Sequence, residues 1–134
     1  MKSITYAIEI IPELTDFGIE QHFKGYPERA EVKVERERKQ KLLLENVSEF
    51  EETCKWLDQV EKTKQINRKV GTSYSLKHVA EKDVCNGYVS NGCFIAAAVC
   101  CGFDFTISGP NAYFNMSLGS INKILKRQSE EGKR

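Results

Sequence analysis

The sequence lacks the charge imbalance that would point directly to a polyanionic partner. Its 134 residues include 20 basic and 19 acidic side chains, so the formal net charge is only +1. A strongly basic nucleic-acid-binding protein or an anionic-membrane binder normally carries a clear positive excess. The overall charge therefore favours neither class, although it leaves room for a local basic patch.

Long apolar runs are also missing. The longest strongly apolar run, Cys93 to Cys101, is far shorter than the ~20 residues that a membrane-spanning helix needs. The first fourteen residues, MKSITYAIEIIPEL, have no extended apolar core and no cleavage site of small residues, so they do not resemble a signal peptide. We therefore expect a cytoplasmic protein without a membrane partner.

Motifs for metals and cofactors are absent as well. The five cysteines form no C-x-x-C pair, and their spacing relative to His78 matches no zinc-binding pattern. An odd number of cysteines without a secretory signal favours reduced, mostly buried thiols. No Walker-type loop, dinucleotide fingerprint or H-E-x-x-H motif occurs. The sequence therefore predicts no metal and no cofactor.

What the chain does contain is one long neutral stretch. Between Val84 and Asn122 the only formally charged residue is Asp104, in a chain that is 29% charged. The chain length favours a single domain, 1–134, with a core large enough to form without disulfides. We predict that the neutral stretch supplies most of that core.

The N-terminal part, residues 1–64, shows strand-like and helical patterns. Alternating apolar residues predict strands over 4–10 and 30–35, and an apolar triplet predicts another at 42–44. The charged run 36–41 is typical of a solvated face. Ser48 and Glu51 resemble a capping box that would start a helix over 49–63, with Phe50, Cys54, Leu57 and Val60 inward.

The C-terminal motif region, residues 72–128, predicts further helices around a hairpin. We expect a helix over 76–83 with Leu76, Val79 and Ala80 inward, and a helix over 93–101 that is buried on most sides and ends at Gly102. Asn-Gly pairs at 86–87 and 91–92 favour turns. Strands should begin near Phe103 and Tyr113, and a last helix should bury Ile121, Ile124 and Leu125. The predicted class is α+β: a small antiparallel sheet packed with about four helices around a buried central helix, 93–101.

Two sets of residues are candidates for binding. Amide and phenol side chains on neutral turns are typical of protein recognition surfaces, and they are also common turn formers and helix caps. The candidates for protein binding are Tyr74, Tyr88, Asn91, Asn111, Tyr113 and Asn115. The candidates for contacts to nucleic-acid phosphates are Lys64, Arg68, Lys69, Lys77, Lys126 and Arg127.

A helix-turn-helix arrangement does not explain the basic residues. The linker between the two helices predicted for this region is too long, and residues 93–101 contain no Arg, Lys, Asn or Gln to contact bases.

A Cys–His nucleophile is a third hypothesis. Cys93 at a helix N-terminus would have a lowered pKa, and His78 is one helix away. The simpler interpretation is that Cys93 is a core cysteine and His78 a surface histidine, with no catalytic role.

Three segments carry a resemblance to other proteins. SYSLKHVAE (Ser73 to Glu81), YVSNGCFIAAAV (Tyr88 to Val99) and GPNAYFNMS (Gly109 to Ser117) resemble a group of small proteins encoded by bacterial phages, plasmids and integrated elements. The resemblance covers roughly Thr72 to Lys126. No activity is established for the group, so no functional residue carries over. It implies an accessory role that involves a host or element protein, including inhibition of defences such as CRISPR systems.

These observations lead to three hypotheses. The first is a non-enzymatic protein that binds another protein, as an inhibitor of a host defence system would. The second is a nucleic-acid-binding accessory or regulatory protein, and the third is a Cys-dependent enzyme. The neutral stretch is also compatible with an interface between two copies in a homodimer.

Overall fold

Six α-helices and two antiparallel hairpins make up the described part of the chain. The computed structural model describes residues 2–21 and 27–132. The helices are α1 (Ile4–Ile10), α2 (Ala30–Glu45), α3 (Val47–Leu57), α4 (Ser73–Glu81), α5 (Asn91–Cys100) and α6 (Leu118–Gly132). Strand β1 (Leu14–Thr15) pairs with β2 (Gly18–Ile19), and β3 (Phe105–Ser108) pairs with β4 (Asn111–Phe114). The α+β class is confirmed, with two hairpins where one sheet was expected.

Helix α5 lies at the centre of the core, as predicted. Every residue from Asn91 to Val99 is buried, and α1, α3, α4 and both hairpins pack against the helix. The helix begins two residues before the predicted start because the Ser90 hydroxyl accepts a hydrogen bond from the Cys93 N–H (3.1 Å). The pair 91–92 is therefore helical, and its prediction as a turn was wrong. Gly102, at φ +85°, ends the helix as expected.

The segment 4–10 is a helix, and the strand predicted there was wrong. Its buried residues Ile4 and Ala7, followed by Ile11, recur at intervals of three and four, which places them on one face of a helix against α5. Ile10, on the face predicted to be inward, is 46% exposed. Burial against α5 therefore decides the conformation over the β propensity of isoleucine.

The strands predicted over 30–35 and 42–44 were also wrong, because both segments belong to α2. Among the residues of this helix only Leu43 is buried, and Val32 and Val34 are exposed. The charged run 36–41 lies between these segments on the same helix, where Glu37, Arg38 and Lys41 are exposed and Arg36, Lys39 and Gln40 are half-buried, so only half of the run is a solvated face. Lysine, arginine and glutamate have good helix propensity and form ion pairs along the helix.

Helix α3 follows the predicted apolar stripe but not the predicted ends. Phe50, Cys54, Leu57 and Val60 are all buried, whereas the helix ends at Leu57 instead of Thr63. Ser48 lies inside the helix, and Asn46 occupies the N-cap position without a side-chain hydrogen bond. The predicted capping box is therefore not formed.

The C-terminal half matches its prediction more closely. Gly87 has φ +66° in the predicted Asn-Gly turn, and the 105–114 hairpin places Phe105 opposite Phe114. In α6 the Ser117 hydroxyl accepts from the Ser120 N–H (3.2 Å), and Ile121 and Ile124 are buried. Leu125 was expected inward but is 40% exposed. The buried face of the helix continues instead from Ile124 to Gln128.

The buried side chains of both halves form one core. Leu14, Leu43 and Phe50 from the N-terminal half join Phe94 and Phe114 in the same cluster. Across residues 2–21 and 27–132, no helix is long and apolar enough to cross a membrane.

Candidate functional site

One helix face gathers several side chains that can form a binding surface. Tyr74, Lys77, His78 and Glu81 are separated by three, four and seven residues, so α4 places them on one side. Tyr88 joins them from the connection between α4 and α5. We call these five residues the tyrosine surface. Leu76 and Ala80, which are buried, hold α4 in the core.

A buried ammonium group lies at the centre of the tyrosine surface. The Nζ atom of Lys77 is 5.4 Å from the centre of the Tyr74 ring and 5.0 Å from that of Tyr88, close enough for cation–π attraction to both. Its third neighbour is the Glu81 carboxylate, at 3.4 Å. Lys77 is only 6% exposed, which leaves little of its side chain open to a phosphate group.

Glu81 connects α4 to the segment that carries Tyr88. Besides Lys77, its carboxylate lies 2.6 Å from Nδ1 of His78 and accepts a hydrogen bond from the Val89 N–H (3.3 Å). Its side chain is only 14% exposed, and burial strengthens such contacts. The position of Tyr88 relative to α4 is therefore fixed by a charged network as well as by the chain.

The two tyrosines remain open to solvent although their rings are held in place. Tyr74 is 53% exposed and Tyr88 is 55% exposed. The Tyr74 ring meets His78 edge to face, with centroids 4.8 Å apart. Exposed aromatic side chains that are already ordered lose little conformational entropy on binding.

The phenol of Tyr88 is a neutral hydrogen-bond donor in an acidic neighbourhood. Burial raises its pKa, and the carboxylates of Glu49, Glu81 and Asp16 raise it further. A phenol that keeps its proton can donate a hydrogen bond to a partner. The surrounding carboxylates favour a partner with hydrogen-bond donors or positive charge around this contact.

The predicted asparagines hold the fold together instead of lining a surface. Asn91 is buried, and its amide donates to the Phe17 carbonyl (3.1 Å) and to Oδ1 of the half-buried Asn111 (2.9 Å). Asn115 is also buried, where it accepts from the Asp104 N–H (2.7 Å) and donates to the Thr63 carbonyl (2.9 Å). Both amides link distant segments of the chain.

The remaining predicted tyrosine belongs to a different contact. Tyr113 is half-buried on β4, and the guanidinium of Arg68 lies 4.6 Å from its ring centre. Arg68 is on the short 3-10 turn Arg68–Val70 and is exposed together with Lys64 and Lys69. The structure therefore keeps these three cations in one connector, as the sequence indicates.

The other predicted phosphate contacts do not join that cluster. Lys126 is exposed on α6, while Arg127 is engaged by Asp83 (2.7 Å) and Glu131 (3.1 Å). A guanidinium already paired with two carboxylates gains less from a phosphate than a free one would. Of the six predicted basic residues, Lys77 and Arg127 are thus committed within the fold.

The thiol of Cys93 differs from the one expected in a Cys–His pair. The side chain is fully buried, and burial together with Glu49 raises its pKa, the opposite of the predicted lowering. His78 is half-exposed and pairs with Glu81 instead. In the part of the chain that the structure describes, no three His, Cys, Asp or Glu residues are placed to hold a metal ion.

Sequence reasoning selected Tyr74 and Tyr88 for protein binding and Lys77 for phosphate contact, but it did not join them with His78 and Glu81 in one surface. The spacing of Tyr74, Lys77, His78 and Glu81 in SYSLKHVAE would have placed all four on one helix face. The pairing of Lys77 with Tyr88 could not be found this way, because it depends on the path of the connection to α5.

No family model matches the sequence, and no curated protein or solved structure is significantly similar to it.

Proposed function

We propose that this protein is a non-enzymatic accessory protein of a bacterial mobile element that acts by binding another protein. The observation that supports this most is the tyrosine surface, in which two half-exposed phenols are ordered around one buried lysine. Tyrosine is enriched among the residues that dominate binding energy at protein interfaces. The acidic surroundings of Tyr88 favour a partner surface with positive charge.

A tagged pull-down from bacterial lysate, with and without nuclease, is the first experiment. A stoichiometric protein that survives nuclease is then purified, and its affinity is measured against variants. Tyr74→Ala and Tyr88→Ala should each weaken binding about tenfold or more, as hot-spot truncations do. Both residues are more than half exposed, so the variants should fold, with a melting temperature lowered only slightly by the lost contact to Lys77.

Phe17→Ala is the matched control for those variants. Phe17 is also an exposed aromatic residue, at 68%, but it lies outside the tyrosine surface. Its loss should leave the affinity unchanged. If Tyr74→Ala and Tyr88→Ala bind as well as Phe17→Ala does, the proposed surface is wrong.

Within this proposal, a host defence complex is the partner class that the mobile-element resemblance favours. Cells that express the protein should then lose interference by the targeted system, CRISPR systems being the first to test, and cells that express Tyr88→Ala should regain it. Unchanged interference across a panel of defence systems would leave the binding proposal intact and remove this class of partner.

Nucleic-acid binding is the second candidate, supported by the connector cations. Lys64, Arg68 and Lys69 are exposed, and no ion pair within residues 2–21 and 27–132 involves them. Binding to single- and double-stranded oligonucleotides should then weaken steeply between about 50 and 200 mM salt. The double variant Arg68→Ala/Lys69→Ala should reduce the salt slope by about two, whereas Tyr88→Ala should not change it.

A further inference from the structure

Two of the five cysteines meet between the two helices that form the middle of the core. Cys54 lies on α3, and Cys101 follows the last residue of α5. The Sγ atom of Cys101 is 3.9 Å from the Cys54 carbonyl oxygen, so this thiol lies directly against Cys54, and each of the two thiols shifts the pKa of the other. These two residues are 47 positions apart in the sequence, so the fold alone brings them together.

This contact places the Cys101 sulfur beside Cys54, as a disulfide between the two residues requires. The two sulfur atoms must also be able to approach to about 2 Å. Because Cys101 Sγ already lies against Cys54, rotation of the two side chains is the movement that brings the sulfur atoms together.

The two thiols differ in a way that assigns them separate roles. The contact with Cys54 lowers the pKa of Cys101, with a smaller contribution from the Lys62 ammonium, and this outweighs burial and the Asp58 carboxylate, which raise it. The same contact and burial raise the pKa of Cys54. Cys101 is partly exposed whereas Cys54 is 4% exposed, so an oxidant in solution reaches Cys101 first.

We propose that Cys54 and Cys101 form an intramolecular disulfide when the protein meets hydrogen peroxide. The Cys101 thiolate attacks one peroxide oxygen, the O–O bond breaks, and Cys101 becomes a sulfenic acid while the released hydroxide takes up a proton as water. The Cys54 sulfur then attacks the Cys101 sulfur, which forms the S–S bond and breaks the S–O bond. The leaving hydroxide takes the Cys54 proton and departs as a second water. Two thiols lose two electrons, and one hydrogen peroxide molecule gains them.

The other cysteines lack this combination of a partner and access. Cys93 is fully buried. Burial raises the pKa of Cys100 to about 11, and its thiol donates to the Ser3 carbonyl (3.2 Å). Cys85 is exposed, but its hydrogen bond to Glu52 raises its pKa, and a lone surface thiol can form only intermolecular disulfides. Oxidation within one chain should therefore select Cys54 and Cys101.

The test uses the reduced full-length protein with Cys85→Ser as background, which removes intermolecular disulfides. After treatment with hydrogen peroxide, free thiols are blocked with a maleimide and the intact mass is measured. We expect two thiols to escape alkylation, with a loss of two hydrogen masses, and a cross-linked peptide that joins Cys54 to Cys101. Because this loop-closing bond restricts the unfolded chain, the melting temperature should rise, and a dithiol reductant should reverse the change.

Single cysteine variants test which thiol is oxidised first and which one then attacks it. In Cys54→Ser, Cys101 should accumulate as a sulfenic acid that a dimedone probe labels, and Cys101→Ser should give neither cross-link nor label. Cys100→Ser is the matched control, since its thiol is adjacent to Cys101 and should leave the cross-link intact. A peptide map of the oxidised protein that shows both thiols still alkylated, or a different cysteine pair joined, would overturn the proposal without relying on any variant.

Discussion

The central helix α5 and the charged helix α2 are opposite cases of the same secondary structure. In α5 the residues from Asn91 to Val99 are all buried, and none of its residues is charged. In α2, which is six residues longer, only Leu43 is buried. Neither helix has the apolar stripe of an amphipathic surface helix.

The difference shows that two separate sources of stability can produce a helix. Helix α5 is stabilised by removal of apolar surface from water on every side. Helix α2 relies on helix propensity, on the ion pairs that Arg36 (3.9 Å) and Lys39 (3.6 Å) form with Glu20, and on a few contacts at one end. Those contacts include Leu43 in the core and the Gln40 amide, which donates to the Pro12 carbonyl (2.7 Å).

The largest expected effect comes from a single methyl group in the first turn of α5. A Cβ atom at Gly92 would lie 1.7 Å from the Thr15 carbonyl oxygen, so Gly92→Ala should reduce the free energy of unfolding by about 3 kcal/mol. Gly119 is the second residue of α6, as Gly92 is of α5, and its Cβ would meet only Ser117 Oγ at 3.5 Å. Gly119→Ala should raise the free energy by about 0.5–1 kcal/mol. Urea unfolding of both variants gives the comparison, and equal effects would contradict it.

The next largest effect distinguishes Leu43, the one buried residue of α2, from the exposed residues of that helix. Leu43→Ala empties a fully buried site and should cost about 3 kcal/mol of unfolding free energy. Val34 is 64% exposed on the same helix, and Val34→Ala should change the free energy by less than about 0.5 kcal/mol. Chemical denaturation measures both. A large loss for Val34→Ala would mean that this side chain is covered in solution by another chain.

The smallest predicted effect concerns two carboxylates, Asp83 and Glu35, each of which pairs with an arginine. Burial alone would raise the pKa of Asp83, but hydrogen bonds from Arg127, Trp56 and Gln128 outweigh it and hold the pKa below its usual value. Hydrogen bonds from Arg38 likewise lower the pKa of Glu35, which is fully exposed. Solvent screens the exposed pair, so Asp83 should stabilise the protein and Glu35 should not.

Asp83→Asn should cost about 1–2 kcal/mol at neutral pH, because it removes the charge that strengthens the hydrogen bonds from Trp56 (2.8 Å) and Gln128 (2.9 Å) and turns an NH2 group towards the Arg127 guanidinium. Because the folded pKa is lowered, this stabilisation is complete above the unfolded pKa of about 3.9 and disappears as the pH falls through the folded value. Thermal unfolding between neutral and acidic pH should therefore show a smaller acid loss for Asp83→Asn than for the wild type. Glu35→Gln should follow the wild-type curve at every pH.

Sequence patterns predicted the C-terminal half well because its signals are local and mutually consistent. An uninterrupted apolar run bounded by Gly102, and a hairpin around Pro110, specify their structures with few alternatives. The N-terminal half was misjudged because alternation in 4–10 and 30–35 satisfies a strand pattern while the buried residues follow helical spacing. Period alone does not separate the two when a segment is short or carries little apolar surface.

The residues of the candidate site were likewise predictable from the sequence only in part. Tyr74 and Tyr88 were identifiable as polar aromatic residues in a neutral context, but so were Asn91 and Asn115, which are buried. An amide on a surface turn and an amide that satisfies backbone groups in the core have the same sequence signature. Only the positions of neighbouring carbonyl and N–H groups distinguish them.

The sequence by itself indicated that the stretch from Val84 to Asn122 contributes heavily to the core, since apolar residues with few charges among them favour burial, although Tyr88 and Ile107 within it are exposed. It also determined the helix in that segment and the glycine that ends it. The tertiary structure decided that Lys77 lies buried between two tyrosines and that Cys54 meets Cys101. These contacts join residues from different elements, and the packing of α3 and α4 on α5 sets their distances, which no local pattern encodes.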